Sequence, residues 1–146
     1  LAKLFIEYLN KKQHSAFLFD GNEMSDYKIL NKFNGFDIDS RYKRAKQLTN
    51  MVNWVKNQEI IPIVAVIGQP EKAREYWRKN VKGYFEIYLK CNLEICINRD
   101  NKGIYNDNSN IIGKDLDFQE PKQYDIMLNS EKYSPEELLN QLINKL

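Results

Sequence analysis

The segment FLFDGNEMSDY, residues 17–27, runs three apolar side chains, Phe17, Leu18 and Phe19, straight into the carboxylates Asp20, Glu23 and Asp26. Gly21 follows Asp20 and permits a tight turn. A carboxylate at the carboxyl end of a parallel strand stands where open α/β sheets take their ligands. There it can orient a hydroxyl or hold magnesium. The same residue can instead cap the next element, so Asp20 alone leaves both readings open. Cations follow in helical segments: Arg41, Arg44, Lys46 and Arg74. Facing an acidic strand end, they would balance the charge of a phosphoryl group in transfer. Pointing outward, they would be a solvated helix face. Three strand ends are expected on one edge, carrying residues 20–23, 68–70 and 90–92, with the polar run 99–103 folding over it.

Other chemistries find few residues to carry them. Cys91 and Cys96 stand in CNLEIC, which is not a zinc spacing, and there is no second pair. They read as reduced, half-buried thiols of a cytoplasmic protein. The single histidine, His14, lies in the polar run NKKQHS and reads as a surface residue. With 22 basic against 20 acidic residues the net charge is +2. That balance argues against a protein that coats nucleic acid, yet it allows a local basic pocket for phosphates. No apolar run nears the roughly 20 residues that span a bilayer, and no signal peptide is visible. The expected partner is therefore a small molecule, with no nucleic-acid polymer and no membrane.

These residues need a scaffold to bring them together. At 146 residues, 42% hydrophobic and 29% charged, the chain suits one domain with a substantial core. Helical and strand patterns alternate along it. Residues 1–11 carry Leu1, Leu4, Phe5, Tyr8 and Leu9 at helical spacing. Residues 16–19 read as a short buried strand and 26–33 as a short helix. A long helix is predicted over 39–57, capped by Asp39 or Ser40, with Ala45, Leu48, Met51, Val52 and Val55 on one face. The run IIPIVAVI, 60–67, predicts a central strand buried on both faces. A helix over 70–80 has Pro70 in its first turn, YFEIYL (84–89) is a strand, and 92–99 a short helix. YDIMLN (124–129) is the last strand. Ser134 caps a final helix to Leu146, with Pro135 at its first position. This order predicts an α/β fold: a mainly parallel sheet with helices on both faces, three layers in all, joined by right-handed crossovers. Residues 100–123, polar and interrupted by Gly103 and Gly113, read as a lid or substrate loop.

Taken in order, FLFDGN (17–22), NGFDIDSR (34–41), IVAVIGQP (63–70), YFEIYLKCNLEICINRDNKGIY (84–105) and YDIMLN (124–129) resemble the adenylylsulfate (APS) kinase family of P-loop kinases. LEICINRDNKGIY is the most specific stretch: a Cys, then Arg-Asp, then Lys-Gly-aliphatic-Tyr. The resemblance covers nearly the whole chain. It implies a P-loop kinase-like fold, ATP and Mg²⁺ as cofactors, and phosphorylation of the ribose 3′-hydroxyl of a nucleotide. Family members are often homodimers, for which Trp54, Tyr76 and Trp77 are interface candidates; core packing is an equal alternative for them. The resemblance makes Asp20 the group that orients the 3′-hydroxyl and magnesium. Gly21, Asn22 and Glu23 then border the acceptor, and Phe36 stacks on its base. Arg41, with Arg44 nearby, binds its phosphate, and Ile67 and Gly68 form the backbone strip beside it. Arg99, Lys102 and Gly103 match the lid near ATP, with Lys102 also near the acceptor.

Family members open with a strand and a Gly-rich loop ending in Gly-Lys-Ser/Thr, which leads into a helix. Residues 1–11 match that helix, and no G-x-x-x-x-G-K-[ST] occurs in the sequence. The expectation is a single domain over 1–146 that lacks the strand and the loop, and that as it stands binds ATP poorly and catalyses little.

The departures from the pattern are informative. The family's second Asp is Asn22, and an amide cannot accept a proton as a base. Its sulfate-side Arg falls at Ser25. Arg44 and Lys46 fall where the family has Asn and Arg. The second stacking Phe is Ile111, which weakens a clamp worth about 1–3 kcal/mol per base. A smaller base with a less anionic tail fits these changes. One branch similar to APS kinase takes such a substrate, cytidine 5′-diphosphoramidate, in bacterial capsule modification. A true APS kinase and a catalytically inactive nucleotide-binding domain are the alternatives.

Overall fold

The computed structural model describes residues 1–29, 35–107 and 109–146. Its elements run α1 (Ala2–Lys11), β1 (Ala16–Asp20), α2 (Gly21–Asp26), α3 (Ile38–Lys56), β2 (Ile61–Ala65), α4 (Glu71–Asn80), β3 (Ile87–Lys90), α5 (Leu93–Asn98), α6 (Ile104–Asp107), β4 (Ile126–Asn129) and α7 (Pro135–Ile143). The α/β order matches the expectation. No helix among the described residues is long and apolar enough to cross a membrane.

All strand pairing is parallel. β1 pairs with β2, with Asp20 opposite Ala65, and β3 pairs with β4, with Lys90 opposite Asn129. The strands form two separate pairs rather than one continuous sheet. Period-2 alternation sends side chains to two faces. On one face, Phe5 and Leu9 of α1 meet Leu138 and Leu142 of α7 and Leu128 of β4. Ala16, Ile63, Ile87 and Ile126, one from each strand, pack against that cluster. One helical layer therefore covers both strand pairs. On the other face, Leu48, Val52 and Val55 of α3 meet Phe19 and Met24, flanked by Trp77 of α4. Leu128 and Leu142 are 0% and 1% exposed, each a burial worth about 1.5–3 kcal/mol. Helices on both faces of the strands make the three layers.

Several local expectations are corrected. The helix after β1 starts at Gly21 rather than at residue 26, because Asp20 caps it. Residues 27–29 are turn, Lys28 has φ 55°, and the rest of the expected 26–33 helix lies outside the described residues. Helix α3 is capped by Asp37 rather than by Asp39 or Ser40, whose amides both donate to the Asp37 carboxylate. Pro70 is the N-cap residue of α4 and lies just outside its first turn. The run 60–67 is not buried on both faces: Ile61 is 37% exposed, Val64 39% and Ile67 61%. The 100–123 segment is not devoid of regular structure, since it holds α6 and a parallel bridge between Ile112 and Leu116. The final helix starts as expected, with Ser134 and Glu137 forming a capping box and Pro135 in the first turn, but it ends at Ile143 rather than at Leu146.

Candidate active site

Strand β1 ends on Asp20, which leads directly into α2. The Asp20 Oδ1 accepts the amides of Asn22 at 2.9 Å and Glu23 at 3.3 Å, so the carboxylate caps α2 while standing at the strand end. The capping bonds are formed, and the strand-end position that the ligand reading requires is occupied by the same carboxylate. Gly21 packs closely on β2: a Cβ there would lie 3.2 Å from Val66 Cγ1 and 3.4 Å from the Ala65 carbonyl oxygen. The ends of β1 and β2 are joined by the pairing of Asp20 with Ala65.

Ahead of α3, Phe36 is 53% exposed. The Arg41 and Arg44 guanidiniums lie 5.9 and 5.8 Å from its ring centroid, within cation–π range. Arg41 Nε donates to the Phe36 carbonyl at 2.7 Å, and its Nη2 donates to the Asn110 carbonyl at 3.0 Å. Arg44 Nη1 donates to the Gly35 carbonyl at 2.5 Å. Burial draws both guanidinium pKa values down from the usual range; neighbouring Arg44 lowers Arg41 further, and Asp37 opposes both. Asp37 itself lies below the usual carboxylate range, chiefly through the Ser40 hydroxyl, which donates to it at 2.6 Å. The arginines are thus fixed by backbone carbonyls at the start of α3.

A cleft of about 920 Å³ gathers these groups. Asp20, Gly21, Asn22, Phe36, Arg41 and Arg44 line it, and so does Ile67. Residues Ile63 to Ile67 line it as well, with Ile87 and Leu89 of β3. Leu1 and Lys3, at the start of α1, also border it. Ser25, where the resemblance leads one to expect a cation, lines it too.

Other expected residues do not line this cleft. Glu23 is in an exposed ion pair with Lys3 at 3.2 Å. The Gly68 carbonyl accepts from Arg74 Nη1. Arg74 is 5% exposed and paired with Glu71 and Glu86, so it is spent on packing rather than on a ligand. Lys46 lies 4.5 Å over the Tyr42 ring. Arg99 Nη1 donates to the Ser130 carbonyl at 3.0 Å and lies 3.9 Å from the Cys91 sulfur. Lys102 and Gly103 belong to a turn organised by Asp100, whose carboxylate accepts the amides of Lys102 at 3.0 Å and Tyr105 at 2.9 Å. Ile104, the next residue after that turn, does line the cleft. Ile111 starts a compact loop, closed by Gly113 at φ 90° and by Asp115, whose carboxylate accepts the Ile111 amide at 2.9 Å. Cys91 and Cys96 are free and half-buried, and burial foremost pushes the Cys96 thiol up to about 11.

Of the aromatic interface candidates, Trp77 donates to the Ala45 carbonyl at 3.0 Å and Tyr76 packs edge-on to Tyr42, whereas Trp54 is 68% exposed. Gln69 was expected at the strand-end edge within residues 68–70, but its partner Gln119 escaped the sequence reading; the structure joins the two beside Gly68. The sole sequence signal was a polar Gln at the end of an apolar strand.

The adenylylsulphate kinase family model matches residues 1–129. A cytidine diphosphoramidate kinase of Campylobacter jejuni is 28% identical over 100% of this chain and 87% of its own length. An adenylyl-sulfate kinase of Bacillus velezensis is 34% identical, over 79% of this chain and 62% of its own length. The Mycobacterium tuberculosis APS kinase in complex with AMPPNP and APS superposes with a TM-score of 0.86 at 24% identity, over 99% of this chain and 87% of that one. With a match that spans both the strand end bearing Asp20 and the arginines of α3, the chain belongs to the adenylylsulphate kinase family.

Proposed function

We propose that this protein is an ATP-dependent kinase that phosphorylates the ribose 3′-hydroxyl of a nucleotide, cytidine 5′-diphosphoramidate before all others. The observation that carries the reading is one cleft holding Asp20 at a strand end together with Phe36, Arg41 and Arg44. Asp20 would orient the 3′-hydroxyl and take up its proton, a role worth about 10²–10⁴ in rate. Phe36 offers a face for the base, and Arg41 and Arg44 offer charge for the acceptor's phosphates. Magnesium commonly takes one or two carboxylates plus phosphate oxygens, and Asp20 is the residue to hold it. The metal would neutralise charge on the transferred phosphoryl group. The N-terminus of α1 opens on the cleft at Leu1 and Lys3, which suits an anionic phosphate chain.

Support for the cytidine compound comes from Ser25 in the cleft wall, where no cation is offered to a sulfate. It also comes from the relative of that name, which aligns over the whole chain. The reading places the enzyme in capsule modification and in the cytoplasm, which free Cys91 and Cys96 suit. APS as acceptor is the second reading, favoured by the pair of arginines around Phe36 and by the 34% identity to an adenylyl-sulfate kinase.

The test is ADP release by the purified protein with MgATP against cytidine diphosphoramidate, CDP and APS in parallel. Turnover with the cytidine compound alone is the expected result. Faster turnover of APS would assign the second reading. Nucleotide binding without turnover of any acceptor would make the domain a binding module.

A further inference from the structure

At the end of β2 a buried polar cluster fastens the far root of the 100–123 loop. Gln69 is 2% exposed. Its Nε2 donates to the Gln119 carbonyl at 2.8 Å, and its Oε1 accepts the Gln119 amide at 3.3 Å. A side-chain amide thus pairs with a backbone amide as a neighbouring strand would. Arg74 donates to the same Gln119 carbonyl at 2.6 Å through Nη2, and to the Gly68 carbonyl through Nη1. The Gln119 side chain accepts the Glu71 amide at 2.6 Å, in the first turn of α4. Next to it, Phe118 stacks on Tyr88 of β3, with centroids 6.2 Å apart. Four residues on, Arg78 holds the Gln123 carbonyl at 3.0 Å. Every hydrogen-bonding backbone group of Gln119 is therefore used, although its side chain sits on the surface.

We propose that Gln69 is a positioning residue that locks the C-terminal root of the lid, at Gln119, to the Ile67–Gly68 strip beside the acceptor. Arg74 is the shared pin, since it grips Gly68 and Gln119 at once. Movement of the loop is then confined to residues ahead of Phe118, and the strip and the lid keep one relative placement. A buried amide that loses its partners is costly to leave unmade, so the lock is sensitive to one substitution. The consequence is selective: loosening the lock should weaken acceptor binding while sparing ATP. The inference rests on reading 100–123 as a lid over a nucleotide acceptor.

Two readouts on the purified protein test it, with Gln69→Leu, which keeps the volume and removes both bonds, and Gln119→Ala, which removes only the bond to the Glu71 amide. By hydrogen exchange, Gln69→Leu is expected to speed exchange of the Gln119 amide about tenfold, as for one lost hydrogen bond. In steady-state kinetics the acceptor KM is expected to rise about tenfold, with kcat and the ATP KM within about twofold. Gln119→Ala, which keeps both bonds to Gln69, should leave exchange of the Gln119 amide within about twofold and serves as the control; if Gln69→Leu does not fold, Gln69→Glu, which keeps the acceptor and loses the donor to the Gln119 carbonyl, carries the test. Unchanged Gln119 exchange in the Gln69 variants overturns the lock. So does a fall in kcat with both KM values altered alike, the mark of general damage. A wild-type enzyme that phosphorylates no nucleotide overturns the proposed function instead, and the exchange of Gln119 still decides the lock.

Discussion

Asp20 has two duties, and one substitution separates them. Its carboxylate caps α2 through the Asn22 and Glu23 amides, and it lines the cleft. Asn caps a helix about as well as Asp but cannot act as a base. Asp20→Asn is therefore expected to lower kcat by about 10²–10⁴ and to leave the thermal midpoint nearly unchanged. Asp20→Ala should lose the same activity and, in addition, about 1 kcal/mol of stability. Kinetics and thermal melts on the two variants check this. Wild-type turnover by the Asn variant would leave Asp20 as a cap alone. At this scale the sequence was legible where a residue acts locally: Asp20 at a strand end and Ser134 as a cap need no distant partner. It was not legible for Arg74, because burial and the carboxylates of Glu71 and Glu86 took that cation out of the site.

The turn before α6 shows how an element depends on one charge. The Asp100 carboxylate lies below the usual range, first through the Tyr105 amide and then through the Lys102 amide, with burial opposing. A depressed folded-state pKa means that its contribution is present above the ordinary value of 3.8 and is lost as the pH falls through the lower folded value. Hydrogen-exchange protection of the Lys102 and Tyr105 amides is expected to hold at neutral pH, to begin to fall below pH 3.8 and to be lost once the pH has passed the lower folded value, while that of Leu128 in the core persists. Asp100→Asn should remove this pH dependence; protection that survives acid in the wild type would show that the turn is held by something else. Element types were readable from periodicity, yet several boundaries were not. DIDS offers three residues able to cap α3, and the choice of Asp37 rests on how residues 35 and 36 arrive against Ser40, where even a Cβ on Gly35 would lie 2.5 Å from the hydroxyl. The capping box of α7 was readable because Ser134, Pro135 and Glu137 carry it among themselves.

Across the whole molecule, residues of both strand pairs line the cleft, with no ladder between β2 and β3 among the described residues. Val64 of β2 and Leu89 of β3 are 39% and 47% exposed. Parallel strands are ordinarily buried on both sides, and exposure at these two positions departs from that pattern where the strands border the cleft. The sequence by itself determined the alternation of helices and strands, the family, and the carboxylate at the end of β1, because apolar period, caps and short motifs act within a few residues. Tertiary structure alone decided which cations face the cleft, that Gln69 meets Gln119 fifty residues away, and that Arg41 reaches Asn110 across sixty-nine. Those outcomes depend on burial and on hydrogen bonds between distant segments, which no local pattern encodes.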